Sequence, residues 1–246
     1  HKVILNRNDC NFGLAKHFNK LFEMSGGEIL VSAAGDDVSS PDRVKILADE
    51  FYRLPDDTMI VYSNGWKTDE KKQRIEKIGE SFRPQFPYNM ERILRKHRFL
   101  TGATMAWRRE LMQNFGLMRE DCQNEDITLL YRAVLCGRVA YIDDCLVDWR
   151  RIQGSLAEKI DDIVLRRIRA FGWRCSIYRQ LLEDMNTDIN KYGQYLPTVE
   201  MHLARNEFQY LQWKQPIGML TIFLTSIKLR CPAIIREYYR TKKHQR

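Results

Sequence analysis

Two pairs of neighbouring acidic residues are the first candidates for chemistry in this sequence. Asp36 and Asp37 directly follow an apolar stretch of strand length, residues 28–34. Such a stretch between helical segments predicts a buried, mostly parallel sheet, and open α/β sheets bind ligands at the carboxyl ends of their strands. Two carboxylates there could hold Mg²⁺ or Mn²⁺, which would neutralise phosphate groups. They could equally cap the helix predicted to begin at Pro41.

The second pair, Glu125 and Asp126, follows Asn124 at the start of a predicted helix. One of these carboxylates could act as a general base on a hydroxyl group that must lose its proton. The alternative is structural, because acidic side chains near a helix N-terminus cap free N–H groups and interact favourably with the helix dipole.

Hydrophobic spacing predicts the elements that must position these residues. Helices are predicted over 12–24, 41–54, 108–115 and 125–135, and strands over 28–34, 58–63, 101–107, 139–142 and 146–149. The charged and irregular residues 65–100 predict a loop over the site. From residue 155 the pattern changes to long helices, at about 157–185, 196–213 and 217–240. We therefore predict an α/β domain over residues 1–153 and a basic helical region over residues 154–246.

The charge balance separates the same two regions. The 246 residues include 40 Lys and Arg against 32 Asp and Glu, a net charge of +8. Residues 1–150 hold 23 basic and 23 acidic residues, so the whole excess lies in the last 96 residues. A basic region of this kind favours an anionic membrane surface or nucleic acid as a partner, or is simply a solvated helical face. A hydrophobic content of 44% excludes a disordered chain.

The C-terminal region also bears on location. Residues 217–230 are apolar but too short to span a bilayer with margin, and basic residues follow as far as Arg246. Such a helix could lie in the interface of an anionic cytoplasmic leaflet, or could pack against the rest of the chain or a second subunit. The six cysteines form no CxxC pair and no zinc-type spacing, which indicates thiols in a reducing cytoplasm. We predict a cytoplasmic protein that can attach to the inner face of the membrane.

The order of motifs over residues 1–155 resembles the inverting family 2 glycosyltransferases of the GT-A fold, in particular the bacterial enzymes that build O-antigen, capsule or exopolysaccharide. The motifs are Asn11-Phe12-Gly13, Gly35-Asp36-Asp37, Thr101-Gly102-Ala103-Thr104, Asn124-Glu125-Asp126 and Trp149-Arg150. The resemblance implies an α/β fold with a mostly parallel sheet and flanking helices. It also implies sugar transfer from a nucleotide-diphosphate sugar to a saccharide or lipid-linked saccharide acceptor.

The resemblance further implies roles for the two acidic pairs. Asp36 and Asp37 fall on the family's metal-binding motif, with Mg²⁺ or Mn²⁺ as the cofactor. Ala34 stands where the family usually has a further Asp, so metal binding would rest on Asp37 with help from Asp36. Asp126 matches the catalytic base, with Glu125 as its acidic neighbour.

Other positions are weaker candidates on the same resemblance. Asn11 and Gly13 are candidates for donor binding. The candidates for contacts with the acceptor or with phosphate are Gly102, Arg108, Trp149 and Arg150. Ordinary roles remain open for these, because an arginine can be ion-paired at the surface and a tryptophan can pack in the core.

Two departures from the family pattern matter. An Asp-Asp-Gly-Ser run in an N-terminal strand–helix–strand portion is missing, so we expect the chain to start at the family's third strand and to bind the donor weakly. No Gln-x-x-Arg-Trp sequence occurs, which predicts a non-processive enzyme. The alternative function is a non-catalytic basic helical module for an anionic membrane or nucleic acid. It leaves the acidic pairs unexplained, and no RRM, KH or zinc-finger signature points to nucleic acid.

Overall fold

The computed structural model describes residues 3–69, 71–78, 88–95, 100–150 and 160–214. Contacts divide the chain into two units, His1–Lys159 and Ile160–Arg246. The domain boundary predicted after residue 153 falls among residues 151–159, outside the described residues. The predicted helix over 217–240 also lies outside them.

Unit 1 is built on a mixed six-stranded sheet. Its strands are β1 (Ile29–Val31), β2 (Val38–Ser39), β3 (Thr58–Thr68), β4 (Arg74–Lys77), β5 (Met105–Arg108) and β6 (Arg138–Arg150). The strand order is β1-β5-β3-β6-β2, and β4 pairs with β3. Among the described strands β3 and β6 run parallel, whereas the other four pairs are antiparallel. The predicted α/β class is confirmed, but the sheet is mixed instead of mostly parallel, because an apolar run indicates burial and not strand direction.

Helices cover both faces of this sheet. They are α1 (Leu14–Met24), α2 (Arg43–Arg53), α3 (Met90–Arg95), α4 (Glu110–Phe115) and α5 (Glu125–Cys136). On one face Trp107 of β5 stacks on Phe18 of α1, with ring centroids 5.7 Å apart. Ala106, the preceding residue, packs with Leu47 and Phe51 of α2. Successive strand residues point to opposite faces, so the sheet lies between α1 and α2.

Some predicted elements differ from the observed ones. The strands predicted over 139–142 and 146–149 are one strand, β6, whose register shifts where Asp143 and Asp144 are inserted opposite β3. The region 65–100, predicted as irregular, contains the end of β3, all of β4 and α3. The proline-rich part of that region, residues 82–87, lies outside the described residues.

The loops that carry the candidate residues lie at one edge of the sheet, where β1 ends and β5 begins. Val31 pairs with Ala106 and Tyr62 pairs with Met105, so the end of β1 and the start of β5 lie at the same edge. β2 pairs antiparallel with the last part of β6. The turn between β1 and β2, the short 3-10 helix Gly102–Thr104 before β5 and the end of β6 therefore lie near one another.

Unit 2 is helical over its described residues. Its helices are α6 (Ile163–Asn186), α7 (Ile189–Tyr192) and α8 (Leu196–Lys214). α6 begins six residues later than predicted because the Asp162 carboxylate caps it, accepting hydrogen bonds from the N–H groups of Val164 and Leu165. Tyr178 of α6 stacks on His202 of α8, with ring centroids 5.4 Å apart. Within the described part of the chain, no helix combines the length and the apolar character needed to cross a membrane.

Candidate active site

The turn over residues 34–37, called the donor turn here, carries the first acidic pair. Asp37 Oδ1 accepts a hydrogen bond from the backbone N–H of Arg150, with an N···O distance of 2.9 Å. The Arg150 side chain donates from Nε to the carbonyl of Asp36. Arg150, the last residue of β6, therefore fixes the donor turn through two contacts. The other oxygen of the Asp37 carboxylate, Oδ2, is buried and has no hydrogen-bond partner.

Burial raises the pKa of Asp37, because the charged form loses its hydration. The N–H of Arg150 opposes this shift, the charge of Asp36 adds to it, and the charges of Arg150 and Arg43 lower the pKa. A cation at Oδ2 would offset the cost of burying this negative charge. Mg²⁺ is commonly bound by one or two carboxylates together with substrate phosphates, which suits a single free oxygen beside Asp36.

The described residues contain no group of three or more His, Cys, Asp or Glu that could hold a metal ion by itself. Asp37 and Asp36 therefore fit a divalent cation only as part of a set that substrate oxygens complete. The donor set also fits chemically, since carboxylate oxygens suit hard cations such as Mg²⁺ and Mn²⁺.

The second acidic pair lies at the N-terminus of α5. Asp126 Oδ1 accepts a hydrogen bond from the N–H of Ile127 at 2.8 Å, and Oδ2 accepts one from the N–H of Gly102 at 3.3 Å. Both carboxylate oxygens are thus oriented by backbone groups. A side chain at position 102 would disturb this arrangement, because its Cβ would lie 3.0 Å from Asp126 Cβ and 3.3 Å from Glu125 Oε1.

Burial raises the pKa of both carboxyls of this pair. The pKa of Glu125 rises to about 7, and the negative charge of Asp126 is the second cause. For Asp126 the N–H groups of Ile127 and Gly102 oppose the rise, because they stabilise the ionised form. Glu125 therefore takes up a proton near neutral pH, and Asp126 is a weaker acid than a free aspartic acid. A carboxylate with a raised pKa is the better acceptor for a hydroxyl proton.

A buried arginine that the sequence analysis did not single out connects the two acidic pairs. Arg43, in the first turn of α2, is 2% exposed. Its Nη2 donates to the carbonyl of Ser32 at 2.7 Å and to the carbonyl of Ala103 at 2.6 Å. Its Nη1 donates to the hydroxyl of Ser39 at 3.0 Å.

These contacts join segments on both sides of the site. Ser32 and Ser39 flank the donor turn, whereas Ala103 directly follows Gly102, the donor to Asp126. The structure thereby brings Asp36, Asp37, Gly102, Glu125, Asp126 and Arg150 to one edge of the sheet. The signal for Arg43 in the sequence is a cation in the first turn of a helix, where the dipole disfavours it.

Three other candidates have mainly local contacts. Asn11 Oδ1 accepts a hydrogen bond from the N–H of Gly13 at 2.9 Å, and Gly13 has a φ of 75° just before α1 begins. Trp149 is half-buried next to Arg150, and its carbonyl accepts a hydrogen bond from Thr68 Oγ1 at 3.4 Å.

Arg108, predicted as an acceptor or phosphate contact, lies at the opposite end of the strands from the acidic pairs. It pairs in register with Ile29, at the start of β1. Its Nε donates to the carbonyl of Thr58 at 3.0 Å, and its Nη1 donates to Glu28 at 2.7 Å. These bonds hold the ends of three strands together, and they place the guanidinium away from both acidic pairs.

Open α/β sheets bind ligands at the carboxyl ends of their strands, which is where this sheet places the two acidic pairs. Residues 1–116 match the family model described as Glycosyl transferase family 2. The matched part, just under half of the chain, is similar to this family. The match includes the donor turn, Arg43 and Gly102, and it ends before Glu125 and Asp126.

Solved structures of glycosyltransferases are similar to this chain. Residues 1–349 of S. aureus TarS, in complex with UDP-GlcNAc, are 13% identical with a TM-score of 0.46, covering 94% of this chain and 72% of that one. The mannosyltransferase PcManGT from Pyrobaculum calidifontis, in complex with GDP-Man and Mn²⁺, is 14% identical with a TM-score of 0.43, covering 92% and 62%. Another structure of S. aureus TarS is 12% identical with a TM-score of 0.45, covering 92% and 42%. No curated protein matches the chain.

Proposed function

We propose that the chain moves a sugar from a nucleotide-diphosphate sugar to a saccharide or lipid-linked saccharide acceptor, with inversion, in the synthesis of cell-surface polysaccharide. The observation that carries the proposal is the difference between two carboxylates at one edge of the sheet. Asp37 keeps a buried oxygen without a partner, and Asp126 has both oxygens oriented by backbone N–H groups. The family 2 match over residues 1–116 supports the class of donor.

The proposed reaction is a single displacement at the anomeric carbon. The acceptor oxygen forms a bond to that carbon while the bond from the carbon to the diphosphate oxygen breaks, so the configuration inverts. Asp126 takes the proton of the acceptor hydroxyl, and the nucleoside diphosphate leaves with the electron pair of the broken bond. Gly102 and Ile127 keep the carboxylate in one orientation during the transfer.

The donor turn would bind the diphosphate end of the donor. Asp37, with help from Asp36, would hold Mg²⁺ or Mn²⁺, which when bound supplies charge neutralisation at the leaving diphosphate. Arg150 adds a positive charge beside this turn and holds it through the Asp36 carbonyl. Trp149 beside it remains a proposed acceptor or phosphate contact, and Asn11 and Gly13 remain proposed donor contacts.

The proposed acceptor class agrees with a peripheral location at the inner face of a bacterial membrane. The whole excess of positive charge lies after residue 150, and residues 217–230 are apolar with basic residues after them. A segment of this composition is attracted to anionic lipid, where a lipid-linked saccharide would be found. These residues lie outside the described part of the structure, so the proposal rests on their composition.

The decisive experiment is Asp126→Asn in the full chain. With Mn²⁺ or Mg²⁺ and a panel of UDP- and GDP-sugars, we expect wild-type protein to release nucleoside diphosphate in the presence of a saccharide acceptor. Loss of the base should lower kcat by about 10²- to 10⁴-fold. Asp144→Asn is the matched control, because Asp144 is an exposed acid in β6. A folded Asp126→Asn variant with the wild-type rate would contradict the proposal.

A further inference from the structure

We propose that Arg43 is a positioning residue that sets the spacing between the donor turn and the catalytic base, and this inference rests on the proposed function. The guanidinium acts through the 3-10 helix Gly102–Thr104, called the base-holding turn here. It touches neither Asp37 nor Asp126 by a hydrogen bond, but it holds backbone on both sides of the site.

The placement of this arginine is energetically costly. A cation in the first turn of a helix opposes the helix dipole, and a buried guanidinium loses its hydration. Arg43 is 2% exposed, and Nε has no hydrogen-bond partner. Three hydrogen bonds and the nearby charge of Asp37 offset these costs, and one of the acceptors, the carbonyl of Ala103, comes 60 residues later. Arg43 therefore joins segments that are far apart in the chain.

The contact with Ala103 can fix the position of Asp126 because hydrogen bonds within the base-holding turn keep that turn rigid. The Thr101 carbonyl accepts hydrogen bonds from both the N–H and the Oγ1 of Thr104, at 2.9 Å and 2.8 Å. A displacement of the Ala103 carbonyl would therefore move the turn as a unit. Gly102 belongs to this turn, and its N–H is one of the two donors to the Asp126 carboxylate.

On the other side, Arg43 positions the donor turn without blocking Asp37. The guanidinium donates hydrogen bonds to the Ser32 carbonyl and the Ser39 hydroxyl, which lie before and after the donor turn. Its positive charge acts on Asp37, yet Asp37 Oδ2 stays without a partner. The carboxylate oxygen that would bind a cation is thus left free while its backbone is held.

Lysine cannot replace this contact, because an ammonium group lacks the planar fork that reaches two carbonyls and a hydroxyl at once. In Arg43→Lys the base-holding turn should loosen and the Gly102 N–H should lose its hold on Asp126. Since that N–H stabilises the ionised form, the pKa of Asp126 should rise. The kcat of sugar transfer should fall about tenfold or more through misplacement of the base, and its acidic limb should move to higher pH.

The test is a carboxyl titration of the full chain by NMR, with carbon labelling that resolves the Asp126 signal, alongside transfer kinetics. Arg43→Lys is compared with Arg53→Lys, which alters an exposed arginine of the same helix. Ser39→Ala removes one contact of Arg43 and should raise the pKa of Asp126 by a smaller amount. Arg53→Lys should leave both the Asp126 pKa and kcat at their wild-type values.

The outcomes separate this inference from the proposed function. An unchanged Asp126 titration and an unchanged kcat in Arg43→Lys overturn the inference, even if the variant unfolds at a lower temperature. A loss of stability with no change in titration shows a purely structural arginine and overturns it too. If wild-type protein transfers no sugar, the proposed function fails, whereas the titration still decides whether Arg43 controls the base-holding turn.

Discussion

The two acidic pairs of the site both consist of carboxylic acids, but their carboxyl groups meet different numbers of hydrogen-bond donors. In the donor turn, one oxygen of Asp37 meets a backbone N–H and the other meets no donor. At the start of α5, each oxygen of Asp126 meets a backbone N–H. Burial raises the pKa of both carboxyls. The difference therefore lies in how many donors the backbone supplies.

On the proposed function, this difference gives the two aspartates different roles. A carboxylate with one vacant oxygen retains a strong site for a cation. A carboxylate whose two oxygens each accept a hydrogen bond still has free lone pairs that can take a proton, and its orientation is fixed. Three further substitutions test this division, in addition to those at Asp126 and Arg43.

The largest effect should come from Asp37→Asn. The amide removes the negative charge that would hold the cation, so the affinity for a nucleoside diphosphate with Mn²⁺ should fall about 10- to 100-fold by calorimetric titration. Asp36→Asn is the matched control and should cost less. Because burial raises the pKa of Asp37, its ionised form is disfavoured in the folded state, so Asp37→Asn should keep or increase the free energy of unfolding at neutral pH. Equal affinities of Asp37→Asn and Asp36→Asn for the nucleoside diphosphate would show that Asp37 has no special part in binding the cation.

A smaller effect is expected from Gly102→Ala. The added Cβ would lie 3.0 Å from Asp126 Cβ, so the base must shift and its bond to the position-102 N–H must lengthen. We expect kcat to fall about tenfold, with a stability loss of about 1–3 kcal/mol. Gly26→Ala is the control, because a Cβ there would meet no atom within 4 Å. A wild-type kcat in Gly102→Ala would show that the base tolerates displacement.

The smallest effect concerns Glu125 and pH. Its pKa is raised to about 7 in the folded state, above the usual value of 4.5. Between these two values the folded chain binds more protons than the unfolded chain, so stability from this group is present below pH 4.5 and is lost as the pH rises through 7. In Glu125→Gln this loss of about 1–2 kcal/mol should disappear, as measured by urea unfolding at pH 5 and pH 8. An identical pH dependence in both proteins would show that Glu125 is not perturbed.

Much of the fold could be predicted from local patterns. The spacing of apolar residues places α1, α2 and α5 within a few residues of their observed ends, and the apolar runs find β1, β3 and β5. Strand direction could not be obtained in this way, because direction depends on pairings between distant residues. For the same reason the sequence predicts a gap between two strands where Asp143 and Asp144 are inserted in β6.

The site shows the same limit. Asp36, Asp37, Glu125 and Asp126 stand out because charged residues directly beside apolar runs are conspicuous. Arg43 does not, because a cation in the first turn of a charged helix is a weak signal and its partners lie 4, 11 and 60 residues away. The position of Arg108 could not be predicted either, because two adjacent arginines in a strand give no indication of which end of the sheet they reach.

Because main-chain N–H groups orient Asp126, side chains around it can be changed without removing those hydrogen bonds. No neighbouring side chain supplies either of the two hydrogen bonds that aim the carboxylate. On the proposed function, exchanging side chains around it would change the shape of the acceptor site while the Asp126 carboxylate stayed in place. Libraries that vary this neighbourhood, with Gly102 left intact, are a direct route to new acceptor preferences.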